Sequence, residues 1–225
     1  MSVLQLQAAL LTHGFDPGPL DGALGPRTRA AIRAFQTAAG LQPDGVAGPL
    51  TLGALGLATD EPLWLAEARR LEGLTERPGK SSNPAILDWA ERLDLNYASD
   101  DVPWCGLFVG HCIAAALPDE PLPQGLLSAR TWMKFGRVSE PGLGAVLVFW
   151  RGSRAGWRGH VGFCVGADVE AFHVLGGNQG DRVCVARLSK GRLLGARWPL
   201  SGGEPPSRAV AFTGLAGTPL SRNEA

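Results

Sequence analysis

Apolar positions recur with a helical period through the first sixty residues. Leu4, Ala8 and Leu11 share one stripe, which predicts a helix over about Val3–Thr12. A second helix is predicted over Pro26–Ala39, where Thr28, Ile32, Phe35 and Ala39 share a face flanked by Ala31 and Ala38, and a third over Pro49–Leu55. Three short amphipathic helices of this kind close on one small core. Leu65, Ala68 and Leu71 then predict a helix over Leu63–Leu74. Asn83 followed by Pro84 is a cap and first-turn pair that opens another, running to about Leu93. Cys105, Phe108, Val109, Cys112 and Ala116 share a face of a buried helix with Cys105 in its first turn.

From Gly144 onward the period falls to two. Gly144–Trp150 and Gly159–Val165 read as strands; in the second, Val161, Phe163 and Val165 face one side and His160, Gly162 and Cys164 the other. Ala171–Leu175, Val183–Leu188 and Leu193–Trp198 complete an expected five-stranded antiparallel sheet, with a hairpin through Lys190 and Gly191. The fold class is therefore α+β. A three-helix bundle module over residues 1–57 is followed by a linker at 58–62, a domain of helices packed on an antiparallel sheet at 63–200, and a flexible tail at 201–225.

Composition narrows the partners. Lys+Arg and Asp+Glu balance at 21 each, so the chain has no bulk field to gather nucleic acid or coat an anionic membrane. Nothing approaches the run of about 18 apolar residues that membrane insertion needs. The opening MSVLQLQAALLTHGF lacks a basic region and a small-residue cleavage site, so synthesis in the cytoplasm without a signal peptide is expected, as a monomer. The four cysteines, at 105, 112, 164 and 184, form no C-x-x-C or C-x-x-H pair, so neither a metal nor another cofactor is expected. Cys112, Cys164 and Cys184 fit apolar faces. Trp89, Trp150 and Trp198 read as packing, whereas Trp104, Trp132 and Trp157 are candidates to line a groove.

Asp21-Gly22-Ala23-Leu24-Gly25-Pro26-Arg27-Thr28 recurs as Asp44-Gly45-Val46-Ala47-Gly48-Pro49-Leu50-Thr51, giving D-G-x-x-G-P-x-T twice. Asp-Gly makes a tight turn in which Gly takes a positive φ, and the later Pro opens a helix at the position where its missing N–H costs nothing. On this repeated motif, residues 2–57 resemble the peptidoglycan-binding domain 1 family, which implies non-covalent attachment to bacterial peptidoglycan.

In the second domain a helix-borne cysteine is followed by a strand-borne histidine and then a polar residue after the next strand. This is the chain order of the papain-like hydrolases. Cys105 at a helix start gains from the positive end of the helix dipole, which can bring a thiol pKa into the range of roughly 3.5–7.5. His160 supplies a base and Asn178 a group to orient the imidazole. Residues 63–199 look like the CHAP-related, NlpC-like group of bacterial and phage cell-wall hydrolases, on the stretches DDVPWCGLFVGHC, GAVLVFWRGSRAGWRGHVGFCVG and VLGGNQGDRV. The resemblance implies a papain-like domain in which Cys105 is the nucleophile, His160 the base and Asn178 the polar residue after the histidine strand. Many CHAP domains carry a glutamate where this chain has Gly176, which leaves His173 as a second candidate for the orienting role. Asp100 and Asp101 are expected to cap the Cys105 helix, and His13 and His111 to lie at the surface. The expected activity is cleavage of a peptidoglycan amide, either N-acetylmuramoyl-L-alanine or a stem-peptide bond, at the cell wall after release or particle delivery. The alternative is a catalytically silent wall-binding or phage-particle protein.

Overall fold

In a computed structural model the chain is described over residues 3–57, 61–77, 82–205 and 219–221. It divides into two units, Met1–Glu67 and Ala68–Ala225. The first holds α1 (Val3–Thr12), α2 (Pro26–Ala38) and α3 (Pro49–Ala54). Leu6, Leu10, Ile32, Phe35, Leu52 and Leu55 form its core, and Phe15 meets Phe35 edge to face at 5.4 Å between ring centroids.

The repeated motif is held by one side chain in each copy. The buried Gln7 amide accepts from the Gly22 N–H at 2.9 Å, and its nitrogen lies 3.0 Å from Asp21 Oδ1, 3.1 Å from the Ala23 carbonyl and 3.2 Å from Thr28 Oγ1. Gln36 repeats this: it accepts from the Gly45 N–H at 2.9 Å and donates toward Asp44, Val46 and Thr51. Each motif aspartate also accepts from the N–H two residues on, at 2.8 Å. Gly22 and Gly45 take φ of +74° and +76°, a conformation that favours glycine. The second Gly of each motif is extended, as a residue before proline must be, so Pro26 and Pro49 start their helices without a side-chain cap. The aspartate, both glycines, the proline and the threonine of the motif each thus have a separate physical task.

The division between the units falls within α4 (Leu63–Arg70). It stops four residues before the sequence pattern does, because Leu71–Leu74 turns and Gly73 and Leu74 exchange backbone hydrogen bonds with Val183. In the second unit α5 (Pro84–Arg92) starts at Asn83, whose side chain accepts from the Ala85 N–H at 3.0 Å. The next helix, α6 (Cys105–Ala116), is buried on almost every side. A 3₁₀ helix, Ala129–Lys134, precedes the sheet.

The sheet has six strands where five were expected. They are β1 (Arg137–Ser139), β2 (Val146–Trp150), β3 (Gly159–Ala167), β4 (Ala171–Gly176), β5 (Cys184–Ser189) and β6 (Leu193–Trp198), in the order β1-β6-β2-β3-β4-β5. The extra strand, β1, is three residues long, too short to show a period. The hairpin expected through Lys190 and Gly191 does not form: β5 pairs with β4, while β6 pairs with β2 and β1. Four Cα steps from Ser189 to Leu193 span at most about 14 Å, whereas β5 and β6 lie four strand spacings apart, about 19 Å in a flat sheet. The sheet therefore curls to bring its far edge back toward β6. Trp150 fixes the crossing, its Nε1 donating to Gly191 and its carbonyl accepting from Arg192 Nε at 3.1 Å.

Packing of α6 against β3 sets the site, with Phe108 edge-on to Phe163 at 6.1 Å. Trp89 of α5 stacks on His111 at 4.7 Å, so His111 is part of the helix interface and not a solvated group. His13 is exposed, as expected, and meets Phe35 edge-on at 5.5 Å. The expected tail is partly anchored: the buried Glu120 carboxylate accepts from the backbone N–H groups of Leu200 and Ser201, and the Ser221 N–H donates to Arg187. The rest of the expected tail, 206–218 and 222–225, lies outside the described residues, as do 58–60 of the expected linker.

Candidate active site

Cys105 is the first residue of α6 and is 3% exposed. Its neighbour Gly106 explains how the helix start can sit so deep: a Cβ there would lie 2.0 Å from the Leu126 carbonyl oxygen. The backbone N–H groups of Val161 and Gly106 favour the Cys105 thiolate electrostatically. Val161 follows His160 on β3, the histidine strand. The helix-start expectation for the thiol is reversed. Burial pushes its pKa up, and the two N–H contacts and the charge of Arg151 offset this only in part.

His160 is fully buried, and its Nε2 lies 2.9 Å from Gln179 Oε1. The direction of that bond follows from the other end of the amide. Gln179 Nε2 donates to the Val174 carbonyl at 3.1 Å and the Cys184 carbonyl at 2.5 Å, and a backbone carbonyl can only accept. Oε1 is therefore the amide atom facing the imidazole, and His160 Nε2 carries the proton. Nδ1 then bears the lone pair, which fixes the tautomer of a base.

The residue on the imidazole is thus Gln179, where the sequence pointed to Asn178. Asn178 is buried with its Oδ1 lacking a hydrogen-bond partner, and it takes a φ of +55° in the turn after β4. Gln179 is the residue whose hydrogen bond reaches His160. Gly176 shows why a glutamine can: a Cβ at 176 would sit 3.0 Å from Gln179 Oε1 and 3.1 Å from His160 Nε2. The space that a longer residue at 176 would fill is taken by the Gln179 amide. Gly177 is equally confined, since its Cβ would lie 2.6 Å from Phe108 and Trp104.

His173, the second candidate, is excluded by register. It pairs with Gly166 on β3, six residues from His160 and so about 20 Å away along the strand. Its Nε2 is bound at 2.8 Å to Asp168 Oδ2, which also takes Arg187 Nε at 2.5 Å. Arg187 first, and then His173, hold the Asp168 carboxyl far below the usual range.

The aspartates before the helix do not cap it. Asp100 accepts from the backbone of Asn83 at 2.7 Å and Arg77 at 3.1 Å, Asp101 pairs with Ser99, and the α6 cap position is Trp104. Trp104 and Trp132 are fully buried, with their indole N–H groups donating to Glu76 and to Leu126. Neither reaches the groove. Trp157 does: it is 80% exposed and lines, with Cys105, Arg151 and Arg158, a cavity of about 690 Å³. Among the described residues no group of three or more His, Cys, Asp or Glu side chains could hold a metal ion. No helix among them is long and apolar enough to cross a membrane.

Comparison with known proteins bears on the first unit most directly. Residues 2–55 match the family model described as "Putative peptidoglycan binding domain". The match falls within the N-terminal unit. An uncharacterized protein in the bpoA1 3′ region of Kitasatospora aureofaciens is 42% identical over 67 residues, which are 28% of this chain. The chain spans 57% of that relative's length. Among solved structures, a protein described as similar to a lipoprotein of the NLP/P60 family, from Staphylococcus aureus subsp. aureus Mu50, is 15% identical. Its TM-score is 0.36, with 93% of this chain and 75% of that one covered. The matched residues include Gln7 and Gln36, the clamps of the repeated motif.

Proposed function

We propose that the protein is a cysteine-dependent peptidoglycan hydrolase that cleaves an amide bond of the cell wall. One observation carries this reading. The Gln179 amide, fixed by two carbonyls, leaves His160 Nδ1 as the basic atom on the strand whose next residue, Val161, acts through its N–H on the Cys105 thiol. Cys105 rests as a neutral thiol, so attack on the amide carbonyl is coupled to transfer of its proton to His160. Backbone N–H groups at the start of α6, including that of Cys105, stabilise the oxyanion. The imidazolium then protonates the leaving amine, and a water activated by the same imidazole hydrolyses the thioester, returning the thiol. The orienting role given to Asn178 from sequence belongs, in this mechanism, to Gln179. The N-terminal domain holds the enzyme on its polymeric substrate.

The test is release of soluble muropeptides from purified sacculi, read by turbidity and identified by mass spectrometry. The intact chain is expected to clear the suspension, and Cys105→Ala to bind without clearing it. Equal clearing by Cys105→Ala would exclude the mechanism; binding without any released fragment by the intact chain would leave a wall-binding protein.

A further inference from the structure

The connection between β2 and β3, Arg151-Gly152-Ser153-Arg154-Ala155-Gly156-Trp157-Arg158, carries three arginines in eight residues. A fourth holds it in shape. Arg130, from the 3₁₀ helix, donates from Nε to the Arg158 carbonyl at 2.9 Å, from Nη1 to Arg154 at 3.1 Å and from Nη2 to Ser153 at 3.1 Å. Three carbonyls on one planar guanidinium make the connection a fixed wall. Arg158 lies over the Trp157 ring at 5.7 Å, and both side chains, with Arg151, face the cavity that opens on Cys105. No side chain lining that cavity is acidic. A smaller hollow of about 330 Å³ extends along the same three residues. An amide needs no cation beside it, whereas a carboxylate pairs with a guanidinium through two parallel hydrogen bonds.

We infer that Arg151 and Arg158 form a carboxylate subsite next to Cys105, selecting peptides with a free carboxylate beside the scissile amide over their carboxamide counterparts. This rests on the reading of Cys105 as the nucleophile for its position relative to the bond cut, but recognition itself does not depend on catalysis. The pair of arginines flanks one side of the substrate, the exposed Trp157 face supplies its apolar contact, and the Arg130 clamp holds the backbone of the connection that carries them.

The test uses N-acetylmuramoyl-L-alanyl-D-glutamyl-L-lysine with the glutamate α-carboxyl either free or amidated, titrated calorimetrically into the full-length Cys105→Ala protein. The free acid is expected to bind about tenfold tighter, the scale of one charge-assisted bidentate contact. Added to Cys105→Ala, Arg151→Gln with Arg158→Gln removes the difference, and Arg158→Lys alone keeps part of it. Circular dichroism melting checks that each variant is folded, and the single substitutions serve if the double one is not. Equal affinities for the two peptides, or a preference that survives both substitutions, would overturn the inference. A preference in binding with no cleavage of peptide or sacculi by the intact chain would sink the hydrolase reading while leaving the carboxylate subsite in place.

Discussion

At the scale of single residues, Gln179 separates two roles that adjacent polar positions share on paper. Removing its side chain frees the imidazole to rotate and to take either tautomer. Gln179→Ala is expected to lower kcat about 10- to 100-fold, part of the roughly 10²–10⁴-fold that a positioned base contributes. Asn178→Ala acts on the turn, through the φ of +55°, and so lowers the melting temperature more than it lowers kcat. Turnover of the same muropeptide by both variants, with melting curves, distinguishes them; the reverse ranking would return the role to Asn178. Cys105 carries a second expectation. A thiol whose pKa is raised by burial is protonated at neutral pH, so its alkylation by iodoacetamide should keep rising beyond about pH 8.5, where an ordinary thiol is half ionised. A plateau reached by pH 6 would instead indicate a preformed thiolate–imidazolium pair.

At the scale of elements, the turn joining β3 and β4 is set by Asp168. Its carboxylate receives the N–H groups of Glu170 and Ala171, both at 2.9 Å, besides His173 and Arg187, and so ties β4 to β5. A carboxyl held below its unfolded value near 3.9 stabilises the fold above that pH, and this contribution is lost as pH falls through the depressed value. Asp168→Asn is therefore expected to melt lower than the parent at pH 7, with the gap narrowing below about pH 4; a gap unchanged at pH 3 would contradict this. Sequence pattern, together with caps, located α1 to α6 and five of the strands, although α6 and β2 to β4 turned out to be buried on both faces. It gave no warning of β1, whose three residues cannot show a period. Nor could it tell that β5 and β6, adjacent in the chain, belong to different parts of the sheet.

At the scale of the whole molecule, the two units have separate cores, and the motif clamps belong to the first alone. Gln36→Ala leaves the buried Gly45 N–H without its acceptor, at a cost of about 1–3 kcal/mol, and Gln7→Ala does the same to the exposed Gly22 N–H at a smaller cost. Calorimetry is expected to show the transition of the N-terminal unit moved down and that of the second unit unchanged. Loss of sacculus affinity should follow in the same variants, with turnover of soluble muropeptides retained. A shift of both transitions would show the units to be energetically coupled.

The chain's own pattern was enough to determine the helical or strand character of most segments, the repeated turn, and the placing of Cys105 on a helix and His160 on a strand. These follow from local rules: period, caps, glycine at positive φ and proline at a helix start. The partner of the imidazole, the direction in which burial moves the Cys105 thiol and the arginine wall beside it were decided only in three dimensions. Gln7, Gln36 and Gln179 belong with them. An uncharged amide has no period and no motif of its own, and its meaning comes from the carbonyls and N–H groups that distant parts of the chain bring to its two ends. The thiol is a similar case, since a helix start implies activation until packing removes the water around it.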